Sequence, residues 1–303
     1  MVLRRHLADI TGATRTRVQG WLADGQVSLN GMVVRRAATR ARAGDVVNVV
    51  LPNGAERRPT VPEDLVLDVL YEDDCLLAIN KPAGMVVHPA YRHPTGTLIN
   101  GLCGRARLWP DGRRPSLVGR LDKLTSGVLL VAKTPLVHRE LQQGTTVKEY
   151  VAVVYGRPVP RGCLTFGLAP DRDDRRRAVA VPTGGRASVT RFETVGRVPA
   201  PRVGLALLRC ELVTGRRHQL RVHLAARGWP LVGDPMYGEP RWRDVTDPAL
   251  AALLQAFPRQ ALHSWRVTFV HPVTRRAVII EGPLPIDLRD LLDATGLRRR
   301  PPP

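Results

Sequence analysis

Two short runs in this chain, Leu76-Leu77-Ala78-Ile79 and Val128-Leu129-Leu130-Val131, are apolar at every position. Continuous apolar runs of that length, bounded by polar residues, read as buried strands. They commit the chain to a sheet that other elements must cover. Further β-prone runs at Tyr150 to Val154, Ala206 to Leu208, Val267 to Val270 and Val278 to Ile280 supply neighbours. Helix signals are fewer. Thr134 caps and Pro135 opens a helix expected to end near Gly144, and Asp247-Pro248 opens another over Ala249 to Phe257, because proline at the first helical position loses no hydrogen bond. The pattern predicts an α+β protein with a large mixed or antiparallel sheet.

The length, 303 residues, suggests two domains at roughly 150 residues each, but the sequence divides unevenly. The first fifty residues read as a small α/β unit. Thr14 opens a helix through Val18, Trp21 and Leu22, with Gly25 past its end. Two short strands then flank an Asn30-Gly31 turn, Val27 to Leu29 and Met32 to Val34, and a third run follows from Val46 to Leu51. The stretch NGAERRPTVP is polar and proline-containing, as a linker is. The expected plan is residues 1–52, a linker at 53–63, a main domain at 64–290 and a basic tail at 291–303 whose final RRRPPP frays.

Lys and Arg number 46 against 27 Asp and Glu, a net charge of +19. Such a surplus favours polyphosphate chains or anionic surfaces as partners. The first fifty residues hold eight arginines and three acids. Arg15 and Arg17 at the start of the helix, and Arg35 and Arg36 after the second strand, either grip phosphates or form a solvated basic face. No apolar run approaches the roughly 18 residues that span a bilayer, and the start lacks a signal-peptide core. A soluble, cytoplasmic protein without a membrane partner is expected. The four cysteines form no C-x-x-C pair and read as ordinary semi-buried thiols.

Three stretches are too rich in Gly and polar groups to be packing alone. In Gly119-Arg120-Leu121-Asp122-Lys123-Leu124-Thr125-Ser126-Gly127 a carboxylate sits in the loop feeding a buried strand. It is either a tuned nucleophile or base, or part of a turn in which Asp122 and Thr125 bond nearby backbone. In Thr214 to Leu224 (TGRRHQLRVHL) an extended backbone would put Gln219 and Arg221 on one face, opposite His218 and Leu220. A buried arginine needs an anion, for which Asp122 is the candidate. His218 and His223 do not match a metal-binding helix, and no metal site is expected. The third stretch, Asn80 to Pro89 (NKPAGMVVHP), reads as a strand end, a tight turn and a second short strand.

Together these stretches resemble the RluA-type pseudouridine synthases. GRLDKLTSG resembles that family's R-L-D-x-x-T-S-G signature, and NKPAGMVVHP, VKEYVAVVYG (147–156) and LVTGRRHQLRVHLAARGWPLVGDPMYG (212–238) follow its order and spacing. Leu262-His263-Ser264 resembles its late Leu-His-Ala element. TRTRVQGWLADGQVSLNGMVV is similar to the S4 RNA-binding domain that precedes the catalytic domain in the RluD-like branch. The resemblance runs from Arg4 to about Leu284. One departure touches the signature: Gly119 stands where the family often has His.

The resemblance implies a pseudouridine synthase fold and an isomerase that needs neither nicotinamide nor metal. The enzyme breaks the N-glycosidic bond of a uridine in RNA, turns the uracil and rejoins it through C5. Asp122 maps onto the family's essential carboxylate, with Arg221 as its ion-pair partner. Tyr150 matches the tyrosine that packs on the uracil. Arg120 matches the arginine that fills the gap left by the flipped nucleotide, offsetting part of an extrusion cost of a few kcal/mol. Large-subunit (23S) ribosomal RNA is the implied substrate, transfer RNA stays open, and a monomer is the default. The competing reading is a catalytically inactive RNA-binding or ribosome-assembly factor of the same fold, for which Gly119 is the one hint. A glycoside hydrolase would need two carboxylates flanking the bond, and the first stretch offers only Asp122.

Overall fold

The computed structural model describes residues 2–11, 15–50, 60–89, 93–174, 176–198, 203–239 and 241–297, without the side chains of residues 9, 10 and 15–17. The chain divides into two compact units, Met1–Pro59 and Thr60–Pro303. Thr14, expected as a helix cap, the first part of the expected linker and the final RRRPPP lie outside the described residues, as do the side chains of Arg15 and Arg17.

In the first unit two helices, α1 (Leu3–Thr11) and α2 (Arg15–Ala23), precede strands β1 (Val27–Leu29), β2 (Met32–Val33) and β3 (Val47–Val49). The strands pair antiparallel in the order β2-β1-β3. Asn30 and Gly31 have φ of 51° and 82°, the two left-handed residues that a tight hairpin of this twist demands. Asn30 also accepts the Val46 N–H at 2.8 Å and donates to Asp45 at 2.9 Å, which ties the hairpin to the approach of β3. Leu3, Leu7, Val18, Trp21, Leu22 and Val27 form the core. Arg35 has a structural duty: it donates to the Ala23 carbonyl at 2.7 Å and satisfies one of the carbonyls that the end of α2 leaves open.

The second unit is laid out along the chain as β4 (Val69–Glu72), β5 (Leu76–Lys81), α3 (Leu98–Arg105), β6 (Ser116–Leu117), β7 (Ser126–Ala132), α4 (Pro135–Gln143), β8 (Thr146–Tyr155), β9 (Arg161–Pro170) and β10 (Ala178–Val181). There follow β11 (Arg186–Val198), β12 (Leu205–Leu212), α5 (Gln219–Ala226), α6 (Pro248–Ala256), β13 (Leu262–Val270), β14 (Ala277–Glu281) and α7 (Ile286–Ala294). Among the described residues the strands form one 11-stranded sheet with the path β10-β9-β11-β12-β8-β13-β7-β5-β4, β14 flanking β13 and β6 flanking β7. The β7–β13 pairing is parallel and the others are antiparallel. The α+β class with a mixed sheet is therefore what the chain adopts.

The strand period of two divides the core. Along β8, Tyr150, Ala152 and Val154 pack on one face with Leu129, Val131 and Leu220. Val151, Val153 and Tyr155 pack on the other with Trp265, Leu288, Leu291 and Leu292. Both apolar runs lie inside β5 and β7, whose residues are covered on both faces. The caps at Thr134 and Asp247 start α4 and α6 as expected.

Four expectations need correction. Within Thr214 to Leu224 the backbone at His218 to Arg221 is not extended: His218 takes a left-handed conformation (φ 54°) and opens α5. Val86 and Val87 form no strand, because their carbonyls accept Leu98 and Ile99 at the start of α3. The boundary at 290/291 falls within α7, whose Leu291 and Leu292, with Leu297 beyond it, are buried in the core. Residues 60–63 are packed rather than linking: the Asn100 side chain donates to the Val61 carbonyl at 2.8 Å, and Glu63 accepts the Gly96 N–H.

Candidate active site

The loop before β7 is held residue by residue. Fully buried Lys81, at the end of β5, donates to the carbonyls of Pro82 (2.8 Å), Met85 (3.1 Å) and Lys123 (3.1 Å). Those acceptors use all three of its donors, while burial pulls its pKa down to about 7. Buried Arg259 reaches the Leu124 carbonyl at 3.3 Å while gripping Asp287 of α7 through two nitrogens. Gln260 donates to the Thr125 hydroxyl at 3.1 Å, and the Thr125 N–H closes a turn on the Asp122 carbonyl. The turn and a carboxylate facing the cleft thus coexist, since Asp122 spends its backbone, not its side chain, on the turn.

Ser126 and Gly127 start β7 against β13. The Ser126 hydroxyl meets Nδ1 of His263 at 2.9 Å, and the opposite nitrogen of that ring meets the Gly282 carbonyl at 3.1 Å. Burial draws His263 down to about 4, so the ring is neutral and purely structural. Gly127 has φ +111°, and a Cβ there would lie 2.1 Å from the Ser264 carbonyl oxygen. The Thr-Ser-Gly and Leu-His-Ser motifs, about 140 residues apart in sequence, are one contact in space.

Asp122 points from this loop toward α5. Its Oδ2 accepts from Nη1 of Arg221 at 3.2 Å, and its Oδ1 lies 3.7 Å from Nε2 of His218. Arg221 is not its private partner. Nε and Nη2 bind Asp234 at 2.8 and 2.7 Å, the planar two-bond geometry that arginine favours. The Asp234 side chain is 1% exposed, and its Oδ1 also accepts the N–H groups of Met236 and Tyr237. A second carboxylate therefore stands in the site, but sealed behind Arg221 and unable to act as acid or base on a substrate.

Sequence reasoning missed Asp234 and considered His218 only as a metal ligand. The Tyr237 hydroxyl accepts the Ala178 N–H at 2.8 Å and lies 2.8 Å from Nδ1 of His218. With the phenolic proton directed to Nδ1, the hydrogen of the neutral ring sits on Nε2 and faces Asp122. Burial lowers the His218 pKa, with Arg221, Arg217 and Arg120 adding to the effect against Asp122.

Asp122, Tyr150, Arg221 and Arg120, all singled out from the sequence, line one cleft with His218 and Leu262. Tyr150 is buried, which pushes its phenol up to about 12 against a hydrogen bond with Ser264. At neutral pH it offers a ring face and a donor. The cleft is open to solvent, and exposed Arg120 is part of its lining. Arg120 bonds to no other described side chain and also lines two neighbouring cavities of about 510 and 310 Å³. The first also carries Lys148 and Arg216, the second Arg177, Arg186, Arg216 and Arg217. Of the first-unit candidates, Arg36 is exposed beside the structurally engaged Arg35.

The chain matches the RNA pseudouridylate synthase family over residues 75–226. It is 39% identical over 288 residues to "Uncharacterized RNA pseudouridine synthase YlyB" of Bacillus subtilis (strain 168), covering 92% of this chain and 89% of that protein. It is 40% identical over 288 residues to "Ribosomal large subunit pseudouridine synthase D" of Xylella fastidiosa (strain Temecula1 / ATCC 700964), covering 93% of this chain and 84% of the relative. The solved structure "Human RNA Pseudouridylate Synthase Domain Containing 4" superposes with a TM-score of 0.60 at 22% identity, over 76% of this chain and 94% of its own, and so shares the fold. With Asp122 and Arg221 paired at the mouth of α5, this chain belongs to the RNA pseudouridylate synthase family and is an isomerase.

Proposed function

We propose that this protein isomerises uridines of large-subunit (23S) ribosomal RNA, with Asp122 as the nucleophile. The contact of Asp122 with Arg221 at 3.2 Å inside a cleft walled by Tyr150 carries the reading, since it orients one carboxylate, against a fixed guanidinium, where a base can be held. The name and 40% identity of the Xylella relative support the ribosomal substrate.

In the reaction the N1–C1′ bond breaks, a C5–C1′ bond forms, the C5 proton leaves to water and N1 takes up a proton from water, so that the product is an isomer of the substrate. Asp122 attacks ribose C1′ or the uracil ring, Arg221 holds its charge, and Tyr150 supplies the surface on which uracil turns. Arg120 swings out of the cleft and stacks in the gap left by the extruded nucleotide. The basic cavities on either side receive the backbone. The first unit, two helices followed by a three-stranded sheet with net charge +5 over its first fifty residues, is read as an S4-like RNA-binding domain, with Arg15, Arg17 and Arg36 as phosphate contacts. The chain is read as acting as a monomer.

Incubating the purified protein with large-subunit ribosomal and transfer RNA transcripts carrying tritium at uridine C5 tests this directly, because each isomerisation releases that label to water. Release from the ribosomal transcript by wild type and none by Asp122→Ala is the expected outcome. Release from transfer RNA alone would refute the substrate. RNA binding without any release would favour an inactive assembly factor.

A further inference from the structure

Gly119, one residue ahead of Arg120, is exposed and has φ +103°, a left-handed conformation that favours glycine. A Cβ built there would lie 2.9 Å from Nζ of Lys148. Lys148 stands on β8 two residues before Tyr150 and therefore on the same face of the strand. Its ammonium reaches across to the loop ahead of β7, where it makes one long hydrogen bond, 3.4 Å, to the Val118 carbonyl. Burial lowers its pKa, and no acid opposes the effect. The neighbouring Glu149 faces the other way, toward Arg209 and Arg266.

A half-buried ammonium with donors to spare is costly unless an anion completes it. The cavity it lines, about 510 Å³, is of ligand-site size. It shares Arg120, Tyr150, Leu212 and Arg216 with the catalytic cleft. The cations Arg120, Lys148 and Arg216 contribute to its wall, and no Asp or Glu does.

We propose that Lys148, with Arg120 and Arg216, forms a phosphate-binding subsite that holds the RNA backbone beside the target uridine, and that glycine at 119 is what leaves room for the ammonium. The subsite rests on the reading of this cleft as the place where a uridine is turned. It gives position 119 a role in RNA grip: a Cβ there would press on the flexible end of Lys148, the one atom it meets.

The test is equilibrium binding of a large-subunit ribosomal RNA transcript to the full chain across a range of salt, comparing wild type, Lys148→Met and Lys148→Arg. Lys148→Met is expected to bind more weakly at every salt concentration, with the slope of log K against log salt shallower by about 0.7 to 0.9, the value of one phosphate contact. Lys148→Arg restores the slope. In parallel, single methylphosphonates are placed along a short single-stranded RNA around a converted uridine. One position should weaken wild-type binding and leave Lys148→Met unaffected. Equal slopes in a Lys148→Met protein that melts at the wild-type temperature overturn the subsite. Should Lys148→Met not fold, the scan on wild type decides, and finding no sensitive phosphate beside the uridine overturns it equally. Wild type that grips RNA in this way but releases no tritium would count against the proposed reaction and leave the subsite standing.

Discussion

Asp234 lies behind Arg221, bound to its Nε and Nη2 at 2.8 and 2.7 Å, so that the guanidinium edge turned toward Asp122 is fixed by the protein itself. Arg221 is also stacked over the Tyr237 ring at 4.9 Å. A charge held this way needs no reorganisation when the Asp122 carboxylate begins to react, which is how preorganised sites lower barriers.

The two carboxylates on Arg221 should therefore separate stability from catalysis. Asp234→Asn leaves a buried guanidinium with only the more distant Asp122, and breaking a buried pair costs about 3–5 kcal/mol. Urea denaturation should show a loss near the lower end of that range, with turnover reduced at least tenfold. Asp122→Asn should abolish tritium release while changing stability by less than about 1 kcal/mol. Equal destabilisation by the two variants would contradict this division.

Lys81 gives stability a pH dependence. Its folded pKa of about 7 lies below its ordinary 10.5. Between those values the unfolded chain holds a proton that the folded chain does not, so stability rises as pH climbs from 7 toward 10.5. The slope contributed is at most about 1.4 kcal/mol per pH unit. Chemical denaturation at several pH values should find this component in wild type and not in Lys81→Met. A variant with the wild-type slope would show that the ammonium is not the group responsible.

Gly127→Ala should fail outright. Its Cβ would sit 2.1 Å from backbone oxygen of Ser264, so the parallel pairing of β7 with β13 must come apart. Loss of about 3 kcal/mol or more is expected, read as a large fall in melting temperature or as insoluble protein. A soluble Gly127→Ala enzyme with an unchanged melting temperature would be incompatible with the described register.

Arg120→Ala should fold normally, because the side chain is exposed. If its guanidinium stacks in the gap left by the base, at a cation–π worth of roughly 1–2 kcal/mol, single-turnover conversion at saturating RNA should fall by about 5- to 30-fold. An unchanged rate would remove Arg120 from the flipping step.

What could be read from the sequence follows physical lines. Val128 to Val131 and Leu76 to Ile79 announced β7 and β5 because buried strands leave unbroken apolar runs, and Thr134 and Asp247 announced helices because caps are local chemistry. Helix α5 was misread because Gln219, Leu220, Arg221, Val222, His223 and Leu224 are all buried, which erases the 3.6-residue period and leaves a false alternation. Strand β11 passes through Arg, Thr and Gly residues whose partners lie on β9 and β12, and such pairing has no local signature. Asp122, Tyr150, Arg221 and Arg120 were found through motifs and do converge on one cleft. Asp234 lay inside a quoted motif, yet its role depends on Arg221 arriving from α5. Lys81 likewise gains meaning only when the Asp122 loop folds over it.

The measurement that bears most directly on the central claim is pseudouridine mapping of ribosomal and transfer RNA from cells lacking this protein, complemented with wild type or with Asp122→Ala. One or more large-subunit ribosomal pseudouridines should vanish on deletion, return with wild type and stay absent with Asp122→Ala. An unchanged pseudouridine map in the deletion strain, or full restoration by Asp122→Ala, would contradict the account.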